Sequence, residues 1–302
     1  MHPMKLTCLS LAMAGTLVAG SAQAVDVAGS PTLSKVKASG TISIGHRTSS
    51  IPFSYYDSNQ KVIGFSQDLC DRVVSEVKKQ TGVANLQVRM VPVTSQNRIS
   101  LVQNGTVDLE CGVTTNLKSR QEQVAFSTTF FVAGTRLLVK KGSPVHDFSD
   151  LSGKAVVTNA GTTSERILRK LNDEKHANIT IQSAKDYGES FLILQSGRVA
   201  AFMMDDVLLS GARTLAPNPG DWVVVGTPQS FEAYGFMMRK DDPGFKQLVD
   251  GVLTGLMKSG EINALYDKWF LKPVPPKNIN FEFPMSEPVK KAYANPNDHA
   301  FD

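Results

Sequence analysis

Short apolar runs alternate along the chain with stretches whose apolar residues recur every three or four positions. That is the pattern of strands followed by amphipathic helices. Residues 42–44 read as a strand. Leu69, Cys70, Val73, Val74 and Val77 then line one helix face, opened by Ser66 or Asp68 and closed near Gly82. Residues 86–93 alternate like a strand, 95–104 read as a helix stopped at Asn104-Gly105, and Leu109 lies in a short strand before Gly112. Further strands are predicted at 135–139, 155–157, 179–181, 199–203, 223–225 and 234–238. Helices follow from Thr162, from Asp186 to Ser196, and after Asp205-Asp206; Thr162 and Glu165 are spaced like a capping box. Phe245, Leu248, Val249, Val252, Leu253, Leu256 and Met257 sit at i, i+3, i+4, i+7, i+8, i+11 and i+12 of a clear amphipathic helix. Another helix spans 261–270, and the tail from Lys272 is predicted to be mostly irregular surface.

This β/α alternation predicts an α/β fold with largely parallel sheets. Two such halves in one chain predict two lobes facing a cleft. Ligands of such folds sit at domain interfaces and at the carboxyl ends of strands.

The first 24 residues do not belong to this pattern. Lys5 precedes an apolar run from Leu6 to about Gly20, and Ala22-Gln23-Ala24 follows, which together predict a secretory signal peptide cleaved after Ala24. The run is short for a membrane span of ~20 residues. Cys8 lies near the start of the segment, not where a lipid-attachment cysteine would stand. Removing 24 of the 302 residues, one of them Lys and none acidic, leaves 278 with a net charge of +3. The expected location is the periplasm.

Composition changes this picture little. Hydrophobic residues make up 41% and charged residues 20%, which excludes a disordered chain. Lys and Arg are scattered without a basic stripe, which argues against nucleic acid as a partner. The mature chain retains Cys70 and Cys111. In an oxidising compartment they can form a disulfide, or they can be two buried thiols; spacing does not choose.

Candidate chemistry gathers just after the predicted strands. Arg47 follows the first; Ser95 and Arg98 follow 86–93; Thr114, Thr115 and Arg120 follow Leu109. Thr162 and Thr163 follow 155–157, and Asp205 follows 199–203. In a parallel sheet these positions share one edge. Arg offers a fork that fits a carboxylate, hydroxyls and helix N-terminal N–H groups complete an anion's shell, and a lone Asp suits an ammonium. The set fits an acidic amino acid. Each Arg alone could be a surface charge, Thr162 and Thr163 could simply cap a helix, and Asp205 could be an N-cap. The sequence carries no G-x-S-x-G, P-loop or G-x-G-x-x-G, and no metal-ligand or cofactor-binding spacing. Of the four His of the mature chain, only His46 lies near the predicted cleft.

At GHRTSSIPFSYYD (45–57), PVTSQNRISLVQNGTVDLECG (92–112), GTTSE (161–165), SAKDYGESF (183–191), AFMMDD (201–206), DKWF (267–270) and PPKNINFEF (275–283), the chain resembles the periplasmic glutamate/aspartate-binding proteins of bacterial ABC amino-acid importers. The likeness runs from about Leu33 to Asp302. It implies a two-lobed venus-flytrap fold with one discontinuous lobe (33–131 and 232–302), a second lobe (132–231), and hinge crossings at 131–135 and 230–234. It implies that Arg120 and Thr115 take the ligand α-carboxylate, with Thr163 and the 161–164 helix start closing on it. Asp205 would hold the α-ammonium; Arg47, Ser95 and Arg98 the side-chain carboxylate; Phe53 would wall the pocket. The implied partners are L-glutamate or L-aspartate and a membrane permease with its ATPase, with the binding protein a monomer and no cofactor. Val113 stands where the family commonly has a small or hydroxylated residue, and Tyr187 where these relatives carry His. A Tyr can donate a hydrogen bond to a carboxylate but adds no charge. The Gly64-Phe65-Ser66-Gln67-Asp68 stretch departs from the family's acidic helix start. Rival readings on the same fold are a cyclohexadienyl (arogenate/prephenate) dehydratase and a module presenting ligand to a membrane sensor.

Overall fold

The computed structural model describes residues 27–300. The predicted signal peptide and its cleavage point lie outside the described residues. Among those described, no helix is long and apolar enough to cross a membrane.

The first stretch comprises α1 (Pro31–Ser39), β1 (Thr41–His46), β2 (Ser49–Ser50), β3 (Ser54–Tyr56), β4 (Val62–Ile63), α2 (Phe65–Thr81), β5 (Gln87–Pro92), α3 (Arg98–Gln103), β6 (Leu109–Thr115), α4 (Lys118–Gln121) and β7 (Ala125–Phe126). β1 pairs in parallel with both β5 and β6. α2 begins at Phe65 after Gly64, not at a Ser66 or Asp68 cap. Those two side chains have tertiary partners instead. Ser66 donates to the Gly112 carbonyl at 2.9 Å, and the Asp68 carboxylate takes the Trp269 indole N–H and the Lys268 ammonium, both at 2.6 Å. Gly64 sits at φ 135, and a Cβ there would lie 2.1 Å from the Phe53 carbonyl oxygen, so only glycine fits. α2 buries Leu69, Cys70, Val73 and Val77. Cys70 is disulfide-bonded to Cys111 of β6, with a Cα–Cα distance of 6.0 Å. The choice between bond and free thiols is thereby made.

The second stretch comprises β8 (Phe131–Lys140), β9 (Ala155–Asn159), α5 (Thr163–Lys175), β10 (Thr180–Ala184), α6 (Tyr187–Gln195), β11 (Ala201–Asp205), α7 (Asp206–Ala212) and β12 (Trp222–Val225). The chain returns through β13 (Phe231–Met238), α8 (Pro243–Ser259), α9 (Glu261–Tyr266) and α10 (Glu287–Ala294). Of the periodic positions on α8, all but Val252 are buried.

The two halves share one hydrogen-bonded path of strands in the order β10-β9-β11-β8-β13-β6-β1-β5, with β12 on β8 and β7 on β13. The expectation of largely parallel sheets is corrected here. β9, β10 and β11 are mutually parallel, as are β1, β5 and β6, but β8 and β13 run antiparallel to their neighbours. These two strands carry the chain between the halves in opposite directions. Residues 131–134 of β8 pair with 231–234 of β13; beyond that point β8 serves β11 and β12, while β13 serves β6 and β7.

The crossing is packed by aromatic rings. Phe53, predicted to wall the pocket, is fully buried and meets Phe65, Phe131, Tyr234 and Phe270 edge-on, with centroids 4.9–6.1 Å apart. The tail is also more ordered than its proline content predicts. α10 buries Val289 and Tyr293, and the Tyr293 hydroxyl donates to the Phe130 carbonyl at 3.0 Å. The Asn297 carbonyl accepts from the Thr129 N–H at 2.9 Å, and the Asp298 carboxylate pairs with Lys246 at 2.8 Å.

Candidate functional site

The strand ends of both halves converge on one cleft. Arg47 leaves β1 with 2% exposure, its backbone N–H held by the Ser54 hydroxyl at 2.9 Å. Its guanidinium carbon lies 5.0 Å from the centre of the Tyr187 ring, a cation–π contact with the first residue of α6. Arg98 opens α3, also 2% exposed, and among the described residues its guanidinium hydrogen-bonds only to the Val113 carbonyl, at 3.4 Å. Among the described residues, the buried Arg47 Nη1, Ser95 Oγ and Arg98 Nε have no hydrogen-bond partner, nor has the acceptor Glu110 Oε1. Three buried donors without acceptors are costly unless an acceptor is supplied from outside.

The sequence reading did not single out Glu110. It is fully buried in β6, where its Oε2 accepts from the Thr114 hydroxyl at 2.9 Å. Burial raises its pKa, and the charges of Arg98 and Arg47 oppose that rise. Burial in turn lowers the pKa of Arg98, which Glu110 counteracts. Gly112 makes room for this arrangement, since a Cβ there would fall 2.0 Å from Glu110 Oε1 and 3.2 Å from Arg47 Cγ. A charged residue inside the apolar strand LECG was the available signal.

Thr114 and Thr115 lie within β6, not after it, because β6 continues far enough to pair Thr115 with Tyr234. The Thr115 carbonyl accepts from Arg120 Nη1 at 2.9 Å, and Arg120 Nη2 crosses the cleft to the Gly161 carbonyl at 3.3 Å. Burial, assisted by the positive charge of Arg98, pulls Arg120 down to about 9, so it stays cationic at neutral pH.

On the opposite wall α5 starts at the cleft. Thr162 is its N-cap: the hydroxyl accepts from the Glu165 N–H at 3.1 Å and donates to the Asn159 carbonyl at 2.7 Å. Its donor and one of its two lone pairs are thus engaged in capping α5. The Glu165 carboxylate takes the Gly161 N–H at 2.9 Å, one residue earlier than a capping box requires. Thr163 is 5% exposed and donates to Glu232 Oε2 at 2.7 Å.

Asp205 occupies the N-cap position of α7 but makes no capping bond; the Asp206 carboxylate accepts the Val207 N–H instead. Asp205 is 4% exposed and accepts from the Tyr234 hydroxyl and, at 3.3 Å, from the Thr135 hydroxyl. Burial and the neighbouring Glu232 push its carboxyl up to about 8. Glu232 and Tyr234 were also missed. Their signal was the alternation of Phe231-Glu232-Ala233-Tyr234, which puts both side chains on one face of β13. His46 is a satisfied structural residue, 1% exposed, with Nδ1 3.0 Å from the Arg47 carbonyl and its pKa lowered by burial.

The cleft walls touch. A Cβ at Gly161 (φ 78) would lie 2.9 Å from the Ser95 carbonyl oxygen, and the Ser49 hydroxyl reaches Asp186 at 3.4 Å. Arg47, Ser95, Arg98, Thr115, Arg120, Thr163, Tyr187 and Asp205 are therefore brought together in a closed cleft. Its chemistry is a binder's: guanidinium and hydroxyl donors on one side, carboxylates on the other. Among the described residues, no group of three or more His, Cys, Asp or Glu could hold a metal ion.

Comparison with known proteins agrees with this geometry. Residues 42–272 match the family of bacterial extracellular solute-binding proteins, family 3. The chain is 54% identical over 290 residues to a glutamate/aspartate import solute-binding protein of Escherichia coli (strain K12), covering 95% of this chain and 96% of the relative. It is 55% identical over 293 residues to an L-glutamate/L-aspartate-binding protein of Pseudomonas aeruginosa, covering 97% and 96%. Among solved structures it is similar to an ancestral amino acid-binding protein described as a precursor of cyclohexadienyl dehydratase, with a TM-score of 0.68 and 30% identity over 79% of this chain and 99% of the other. The chain belongs to the bacterial extracellular solute-binding proteins of family 3.

Proposed function

We propose that this chain is the periplasmic receptor of an ABC importer, capturing L-glutamate or L-aspartate between two closing lobes and delivering it to a membrane permease driven by an ATPase. The observation that carries the acidic ligand is the trio of unpartnered buried donors, Arg47 Nη1, Ser95 Oγ and Arg98 Nε. A side-chain carboxylate satisfies all three. In this reading Arg120, Thr115 and the N–H groups at the start of α5 hold the α-carboxylate, and Asp205 holds the α-ammonium. Tyr187 packs over Arg47 and closes the pocket. The lobes are 33–131 with 232–302, and 132–231, joined at 131–135 and 230–234. Ligand contacts spanning both lobes favour the closed form because the open form lacks them.

The dehydratase reading is not retained. The relatives at more than half identity over nearly the full length are import solute-binding proteins. An affinity near micromolar, about −8 kcal/mol, suits the role.

A thermal-shift screen of the twenty amino acids tests the reading. Glutamate and aspartate at about one hundred times Kd should stabilise the fold by ~2.7 kcal/mol and raise Tm by several degrees. Stabilisation by basic or large apolar amino acids alone would overturn the acidic assignment.

Closure itself can be tested at Gly161. In Gly161→Ala the new methyl meets the backbone of Ser95 and Gln96 across the cleft. Glutamate affinity should fall at least tenfold by calorimetry, because closure cannot complete. The ligand-free protein should lose only the ~1–2 kcal/mol of a left-handed alanine, a few degrees in Tm. Unchanged affinity would show that the walls do not approach this closely in the bound form.

A further inference from the structure

Two carboxylates, not one, face the end of the cleft opposite the Arg47–Arg98 pair. Asp205 and Glu232 are 4% and 2% exposed. They lie within reach of a single hydroxyl: Thr135 Oγ1 is 3.3 Å from Asp205 Oδ1 and 3.4 Å from Glu232 Oε1. The remaining partners are also hydroxyls. Tyr234 donates to Asp205 Oδ2, Ser230 to Glu232 Oε1, and Thr163 to Glu232 Oε2 at 2.7 Å. Among the described residues neither carboxylate makes an ion pair with a basic side chain; the charge of Arg120 of α4 acts on Glu232, and Arg120 is itself beside Arg98 and Arg166. A buried carboxyl beside a like charge, with no basic side chain bonded to it, is held toward its protonated form, as Asp205 is.

We propose that Glu232 is a second carboxylate of the ammonium subsite, that its charge helps Asp205 to keep a proton while no ligand is bound, and that the α-ammonium of the captured amino acid expels this proton to solvent. The inference rests on the amino-acid-binding reading above and extends it to a residue that reading leaves unused. The ammonium brings a cation between the two carboxylates, and its three N–H donors can replace the proton on Asp205. The direction in which burial moves Asp205 agrees with a retained proton. The other titratable groups facing the pair do not supply it. Tyr234 is pushed well above its ordinary value and stays a neutral donor, with Tyr187 of α6 as a further neighbour. Asp206 of α7 has its own partners, the N–H groups of Gly134 and Val207.

Titration calorimetry of glutamate in buffers of differing ionisation enthalpy measures the protons exchanged. At pH 6–7 about one proton should be released per ligand. Released protons make binding tighter as pH rises, so affinity should increase about tenfold from pH 6 to pH 7 and level off above pH 8. Glu232→Gln leaves Asp205 without its like charge, and release should fall to less than half. The α-hydroxy analogue of glutamate, which has no ammonium, should release none where it binds. Glutamate binding with heats independent of buffer, or equal release by Glu232→Gln, would overturn the proposal while leaving the binding reading intact. No binding of any amino acid would sink both. Should Glu232→Gln fail to fold, the buffer series and pH slope of the unaltered protein decide alone.

Discussion

Arg98→Ala is expected to weaken glutamate binding at least a hundredfold while the protein remains folded. Arg98 is 2% exposed, its Nε lacks an acceptor among the described residues, and its Nη1 makes a long hydrogen bond to the Val113 carbonyl. Most of its donor capacity is thus open to the ligand in the proposed reading. Losing one member of a buried, hydrogen-bonded charge pair costs ~2–5 kcal/mol, because the ligand carboxylate is still desolvated but now short of a partner. Arg47 and Ser95 cannot replace a bidentate fork from the other side. The fold should persist because Glu110, which sits beside Arg98, keeps Arg47 and the Thr114 hydroxyl as neighbours and can take up a proton. Calorimetry reports affinity and far-ultraviolet circular dichroism reports the fold. An isotherm matching that of the unaltered protein would remove Arg98 from the side-chain carboxylate subsite. Arg98→Lys keeps the charge without the fork and should lose less.

Removing the Cys70–Cys111 bond is expected to give the largest loss of stability of any two-residue change outside the aromatic core. The bond joins positions 41 apart in sequence, which corresponds to ~4 kcal/mol in the chain-entropy treatment. For a chain of this size that is a fall of roughly 5–10 °C in Tm. Cys70→Ala with Cys111→Ala avoids burying a hydroxyl and is the cleaner variant. Cys111 directly follows Glu110 on β6, the strand that also carries Thr114 and Thr115. Thermal melts of the double variant, and of the unaltered protein with and without reductant, make the comparison. Equal Tm values in oxidised and reduced protein would contradict the expectation. Glutamate should still bind well below the new Tm, because none of the donors of the cleft is altered.

The elements and the site were legible to different degrees. The strands and helices follow from local periodicity, and β1, β5, α2 and α8 lie where their apolar spacing puts them. The arginines, Ser95 and Asp205 could be picked out because strand ends of an α/β sheet share one edge. Glu110 and Glu232 could not be weighed the same way. Each lies inside a strand, where a lone acid could as well face solvent, and only the neighbours Arg98, Arg47 and Thr163 give it meaning. The same limit applied to hydroxyls. Thr162 and Thr163 are adjacent and chemically identical, yet one caps α5 and the other reaches Glu232. The difference lies in which way each points from the helix start.

By itself, the sequence determined the β/α order, the approximate places of the strands, and the collection of three arginines, hydroxyls and an aspartate suited to an acidic amino acid. Those depend on interactions within a few residues, which spacing records directly. The tertiary structure alone decided the antiparallel crossing of β8 and β13, the disulfide, the docking of the tail through Tyr293, and the approach of Asp205 and Glu232 to one hydroxyl. Each joins groups far apart in the chain, as Thr163 and Glu232 are separated by 69 positions. Such contacts depend on how the two halves are packed, and no local pattern encodes a partner that distant.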